Sequence, residues 1–143
     1  MQKYNPISKA IIQNLEKIVG VQNIFFDQET LNKYGHDETE NLNYPPEVLV
    51  KPQNTLQVGK IMNLSSQNNI PVTPIGARTG LSGGSLCVSG GIGLSMEKFN
   101  KILKIDEDNL QVVVEPGVVT QTLQEEVAKK GLYYAPDPAS RGS

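Results

Sequence analysis

Pro74-Ile75-Gly76-Ala77-Arg78-Thr79-Gly80-Leu81-Ser82-Gly83-Gly84-Ser85 is the stretch on which the reading of this chain turns. It follows a short apolar run, Ile70-Pro71-Val72-Thr73, and seven of the 13 glycines fall between Gly76 and Gly93. Glycine admits φ > 0 and lets a ligand approach the main chain closely, so such clustering after a strand suggests a loop built for contact. Successive N–H groups in a loop of this kind can converge on an anion and form a nest for phosphate. The alternative is a plain mobile connection between two strands, because glycine-rich loops also serve as simple turns.

Two familiar phosphate loops do not fit. The P-loop requires a lysine after its second glycine, and no lysine occurs between Ile61 and Glu97. The dinucleotide fingerprint requires Gly-x-Gly-x-x-Gly opening a helix, whereas this loop reads Gly76-x-x-x-Gly80-x-x-Gly83-Gly84 and runs into more loop and another strand. No helix dipole is therefore expected at the phosphates. Backbone amides must do most of the binding, with Arg78 available as a charged helper.

Working outward, Val48-Leu49-Val50 reads as a strand ended by Pro52. Asn54 or Thr55 caps a helix whose apolar stripe is Leu56, Val58, Ile61, Met62 and Leu64, and Asn68-Asn69 terminate it. Residues 71–75 return as a strand, which makes a parallel β-α-β crossover with the glycine loop at the carboxyl end of its second strand. Ligands of α/β sheets usually bind at that end. Upstream, residues 6–19 carry a helical stripe at Ile7, Ala10, Ile11, Leu15 and Ile18, with Pro6 in the first turn and Gly20 as the stop. Ile24-Phe25-Phe26 is a short apolar run, residues 29–34 form a brief helix, and residues 35–46 read as a polar surface loop.

Downstream, residues 92–96 form a strand, and residues 102–105 and 110–115 pair as a hairpin around Glu107-Asp108-Asn109. Pro116-Gly117 breaks the second of these. Thr120 caps a helix reaching Lys130, with Leu123, Val127 and Val119 inward and Gly131 closing it. Residues 132–135 form a last strand before Pro136-Asp137-Pro138. The fold class is thus α/β (α+β): a small, partly parallel sheet with a β-α-β crossover and flanking helices.

Composition narrows the function classes. Charge is nearly balanced, 13 Lys+Arg against 15 Asp+Glu, and the pI of about 5.4 argues against a nucleic-acid or anionic-membrane surface. The N-terminus lacks the apolar core of a signal peptide, and no stretch approaches the roughly 18 apolar residues of a membrane span. A single cysteine, Cys87, excludes an internal disulfide and suits a small packing residue. The expectation is a cytoplasmic chain without a transmembrane segment. His36, the one histidine, sits in the polar loop and lacks the orienting partner and pocket that a catalytic base requires. Asp106, Glu107 and Asp108 read as a solvated hairpin turn and no metal site is assigned.

The glycine stretch resembles the pyrophosphate loop of FAD-linked oxidases of the vanillyl-alcohol oxidase and p-cresol methylhydroxylase type, particularly the glycolate oxidase FAD subunit and D-lactate dehydrogenases. Further segments follow in family order: Pro46-Glu47-Val48-Leu49-Val50-Lys51-Pro52, Gly93-Leu94-Ser95-Met96, Asp106, Val114-Glu115-Pro116-Gly117-Val118 and Pro136-Asp137-Pro138-Ala139-Ser140. Relatives usually carry glycines where this chain has Ala77 and Arg78.

The resemblance implies that Pro74, Ile75, Gly76, Ala77, Arg78, Thr79, Gly80, Leu81 and Ser82 form the loop holding the FAD diphosphate. It further implies that Pro136, Asp137 and Ser140 lie near the isoalloxazine and ribityl end. The flavin is expected to be noncovalent, because His36 lies outside the flavin loop. The implied reaction is oxidation of a D-2-hydroxy acid, glycolate or D-lactate in type, to a 2-oxo acid. No residue is assigned as the catalytic base. Residues 1–35 would be an N-terminal helical segment and residues 36–143 an N-terminal FAD-binding subdomain, truncated before a second FAD subdomain and a substrate domain that would be its partners. The chain by itself is expected to be inactive and to bind FAD weakly or not at all, since half a pocket buries little of a ligand. Two rivals remain: a non-catalytic isolated subdomain or nucleotide-binding module that does not retain FAD alone, and an FAD oxidase of sugars or other alcohols.

Overall fold

In the computed structural model, which describes residues 4–143, the chain runs α1 (Lys9–Val19), a 3-10 turn (Val21–Asn23), β1 (Ile24–Phe25), α2 (Gln28–Lys33), β2 (Val48–Val50) and α3 (Thr55–Gln67). β3 (Val72–Ile75), β4 (Ile92–Ser95), β5 (Ile102–Asp106), β6 (Gln111–Val114) and α4 (Thr120–Ala128) follow. It divides into two compact units, one ending at Lys98 and the other running from Phe99 to Ser143. Residues 1–3 of the expected N-terminal segment lie outside the described residues.

The first unit is built on a four-stranded sheet of order β1-β2-β4-β3. β2 and β3 each run parallel to β4, with Val48 and Val72 both opposite Ile92, while β1 pairs antiparallel on the outside. The expected crossover is present, but its two strands are not neighbours: β4 enters between them. All four β4 residues are buried, so that strand has sheet on both sides and packing on both faces. Alternation along β2 then divides the core. Val48 and Val50 join Ile11, Leu15 and Val19 of α1 and Ile61 of α3 on one side, whereas Leu49 joins Leu31, Tyr34, Ile75 and Cys87 on the other.

Caps set the helix starts. Ser8, Asp27 and Asn54 accept from the amides of Ile11, Thr30 and Gln57, each satisfying a donor that has no partner within its helix. α1 therefore begins at Lys9 rather than in a turn containing Pro6. In α3 the buried positions are Ile61 and Ser65, with Val58 and Leu64 partly buried, whereas Leu56 and Met62 are exposed. At roughly 100° per residue, Met62 lies a quarter-turn or more from Ile61 and Leu56 faces away from Val58, so one stripe cannot hold all five. Ser65 is buried because its hydroxyl donates back to the Ile61 carbonyl at 2.8 Å.

In the second unit β5 and β6 pair antiparallel as the turn chemistry predicts, and Asp106 Oδ1 accepts the Asn109 amide at 3.1 Å. α4 buries Leu123 and Val127. Thr120 is its first residue and Val119 its N-cap, with no side-chain cap, and Gly131 at φ +71 closes the end as expected. The expected strand over residues 132–135 does not form. It finds no partner strand among the described residues, and Tyr133 is exposed.

Candidate functional site

Because β2, β3 and β4 are parallel, their carboxyl ends share one edge, and Lys51, Gly76 and Glu97 all leave from it. Ile75, fully buried, anchors the glycine loop to the sheet. Beyond it Gly76, Ala77, Gly80, Leu81 and Ser82 are exposed, as is Pro74 before it, while Arg78 and Thr79 are half-buried. Among the described residues, the amides from Gly76 to Ser82 donate to no protein group. A Cβ on Gly76 would meet nothing within 4 Å. Open amides on a loop that leaves room at its surface are available to an anion from solvent, and an anion held by fixed N–H donors requires little reorganisation of the protein.

The loop is braced from behind by the stretch expected to be plain polar surface. Glu38 donates its amide to the Gly80 carbonyl at 3.1 Å, and Thr39 Oγ1 accepts the Gly83 amide at 2.8 Å. Asp37 accepts the Thr39 amide at 2.9 Å through Oδ1 and the Ser85 hydroxyl at 3.4 Å through Oδ2. Its carboxyl lies below the ordinary range: burial pushes it up, but the bonds from Thr39 and Ser85 outweigh that. The Asp-x-Thr spacing carries a turn signal. The contact with the glycine loop, 44 residues away at Thr39 and Gly83, is not local information.

A charged cluster at the same edge was not expected from the sequence. Tyr34, buried at the end of α2, donates its hydroxyl to Glu97 Oε2 at 2.6 Å, and Lys51 Nζ donates to Glu97 Oε1 at 2.8 Å. Lys51 Nζ also lies 5.2 Å from the Tyr34 ring centroid and 4.9 Å from that of Phe25. Burial pushes the Glu97 carboxyl up, but its bonds to Lys51, Tyr34 and Ser95 outweigh that and hold it below its ordinary value. Burial likewise works against the Lys51 charge, and Glu97 and Tyr34 more than restore it, leaving the ammonium above its ordinary value. Arg78 adopts φ +62 and places its guanidinium 4.7 Å from the Tyr34 ring centroid, where Nη1 donates to the Lys33 carbonyl. Its charge is thus directed at α2 rather than into the amide cradle.

The other residues singled out by the sequence belong to the second unit. Pro136 and Asp137 are exposed and Ser140 is half-buried. The Pro136 carbonyl accepts Gln124 Nε2 at 2.9 Å, and Asp137 pairs with Arg141 at 3.1 Å. The three lie along one C-terminal segment tied to α4, with only Ser140 in a turn. His36 is exposed, with Nδ1 3.1 Å from the Leu42 carbonyl. Cys87 is buried, and burial pushes its thiol up, as suits a packing residue more than a nucleophile. No described helix is long and apolar enough to cross a membrane.

Comparison with known proteins gives a match to the FAD binding domain family over residues 46–143. The D-lactate dehydrogenase of Anaerostipes hadrus is 36% identical over 140 residues, covering 97% of this chain and 29% of that protein. The glycolate oxidase subunit GlcD of Bacillus subtilis (strain 168) is 35% identical over 136 residues, covering 94% and 28%. This chain therefore spans less than a third of the length of either relative. Among solved structures, p-cresol methylhydroxylase with substrate bound superposes with a TM-score of 0.74 at 26% identity, over 85% of this chain and 24% of that one.

Proposed function

The chain belongs to the FAD binding domain family, and from that membership we propose that it supplies the diphosphate-binding part of a flavin-dependent oxidoreductase acting on a D-2-hydroxy acid. The observation that carries this reading is the run of open amides from Gly76 to Ser82 at the carboxyl edge of the parallel strands. Pro74 and Ile75 fix where the loop leaves the sheet, and the amides of Gly76, Ala77, Arg78, Thr79, Gly80, Leu81 and Ser82 hold the two phosphoryl groups. The Thr79 hydroxyl adds a donor. Pro136, Asp137 and Ser140 contribute to the flavin's other end. The chemistry supplied by bound FAD is removal of a hydride from the substrate's α-carbon, leaving a 2-oxo acid; the protein's share is placement and electrostatics.

The substrate class follows from the relatives named for D-lactate and glycolate. The flavin is held noncovalently in this reading, because the one histidine, His36, is outside the glycine loop and faces the Leu42 carbonyl. A cytoplasmic location belongs to the same reading. One preparation tests all but the location. Intact protein is purified, its visible flavin band is recorded, and D-lactate or glycolate is added without oxygen. Bleaching of the band by either acid, and release of the yellow colour to the supernatant on acid precipitation, are the expected results. A colourless protein that takes up no FAD would make this a non-catalytic module. A flavin bleached by sugars or other alcohols alone would replace the substrate class, and colour retained in the pellet would overturn noncovalent binding.

A further inference from the structure

We propose that Arg78 is a positioning residue of the amide cradle, a latch that holds the glycine loop in its anion-ready shape by docking on Tyr34; the inference rests on the reading of that loop as the diphosphate site. Arg78 sits in the middle of the open amides and adopts φ +62, a left-handed conformation that side chains other than glycine enter at a cost. Left-handed residues within a turn are what swing consecutive N–H groups toward one point. The conformation at Arg78 is therefore part of the cradle, and something must hold it there.

The guanidinium supplies the hold. It stacks 4.7 Å from the Tyr34 ring centroid and donates to the Lys33 carbonyl, tying the loop to the end of α2. Its anchor is itself fixed. Tyr34 is only 7% exposed, and its hydroxyl is held by Glu97, which Lys51 holds in turn. Glycine at this position would enter the same conformation freely and leave it as freely. Arginine gives up that freedom and gains a tether, so the ordering cost is met before the ligand arrives. The Arg78 side chain acts through Tyr34 and the loop backbone, not through contact of its guanidinium with the phosphoryl oxygens.

The test separates the latch from phosphate contact and from general stability. Amide hydrogen exchange is measured on intact protein stripped of FAD, for wild type, Arg78→Ala, Arg78→Gly, Tyr34→Leu, Tyr34→Phe and the Arg78→Ala/Tyr34→Leu double variant. Exchange at the Glu38 and Gly83 amides, which bond the loop's Gly80 carbonyl and Thr39 Oγ1, is expected to rise about tenfold in Arg78→Ala, Arg78→Gly and Tyr34→Leu, no further in the double variant, and little in Tyr34→Phe, which keeps the ring. The dissociation constant for FAD should rise in the same order, by about tenfold, with an unchanged dependence on salt. Unaltered exchange in Arg78→Ala, additive effects in the double variant, or exchange rising across the whole first unit would overturn the latch. A shallower salt dependence in Arg78→Ala would instead make the arginine a direct phosphate ligand. Should wild type bind no FAD, the functional reading fails while the ligand-free exchange still decides the latch.

Discussion

The two edges of the parallel sheet use the same materials, glycine and backbone amide, to opposite ends. At the amino edge, where the chain enters β4, Glu47 turns its carboxylate inward: Oε1 accepts the Gly91 amide at 3.0 Å and Oε2 the Ile7 amide at 2.9 Å. The Gly91 carbonyl accepts the Glu47 amide at 2.9 Å. The anion at that edge is the protein's own, both glycines have positive φ, and at Gly91 the backbone leaves no room for a side chain. A Cβ on Gly91 would stand 2.3 Å from the Pro71 carbonyl oxygen, and one on Gly90 would stand 2.7 Å from Glu47 Oε1. At the carboxyl edge the amides from Gly76 to Ser82 meet no carboxylate, and Gly76 faces open space. The amides at the amino edge are thus taken up by the protein's own carboxylate, and those at the carboxyl edge are left open.

Exchanging the two kinds of glycine is the direct way to break this contrast. Gly91→Ala should have the largest effect of all. It adds the roughly 1–2 kcal/mol cost of a left-handed side chain to an overlap with backbone that cannot move aside. A loss of at least about 3 kcal/mol, read by urea unfolding, is expected; unfolding indistinguishable from wild type would show that the amino edge is not close-packed. Gly80→Val should do the reverse. The only atom near a Cβ there is Asp37 Oδ2 at 4.0 Å, and Gly80 does not have a positive φ. Its thermal midpoint is expected to move by less than about 2 °C, while FAD affinity falls about a hundredfold as the valine covers the cradle. Equal affinities for FAD would remove the distinction on which the functional reading stands.

The exposed glycine loop and several local elements were legible because their signals are local, whereas the Glu47 contacts at the amino edge were not expected from the sequence. Glycine spacing after Ile75, the cap at Asn54 and the turn at residues 107–109 all act within a few residues of themselves, whereas the cap at Asp27 was not among the expectations. What escaped depends on topology. Nothing in the Val48–Val50 or Val72–Ile75 segments says that a third strand will come between them, since the order follows from β4 being apolar enough to be buried on both faces. Tyr34, Lys51 and Glu97 carry no local signal that they form a cluster, and Glu97 meets the other two across 63 and 46 positions. They converge only because parallel strands deliver their ends to one edge. The expectation for residues 132–135 failed for the same kind of reason, because β-propensity cannot supply a partner strand. The apolar residues there instead line a groove of about 300 Å³ with Ile105, Leu110 and Val127.

Acid offers the finest way to sharpen the contrast, because a titrating group supports the carboxyl edge from beneath. Glu97 has a folded value below its ordinary 4.5, so its contribution is complete above that value and is lost as pH falls through the folded one. Lys51 lies above its ordinary 10.5; its contribution is complete below that value and is lost only as pH rises through its folded one. Between the two the cluster is fully charged and the Tyr34 ring is held. Glu97 is about half exposed, so the effect is expected to be small, about two- to threefold in protection. Below the Glu97 transition, exchange at the Glu38 and Gly83 amides that bond this loop, corrected for the intrinsic rate, should rise by that factor while Gly91 keeps its protection. Glu97→Gln should remove the step and leave the loop at its acid-form rate throughout. If Gly91 and the loop lose protection together, the two edges are one cooperative structure and the cradle is not separately tuned.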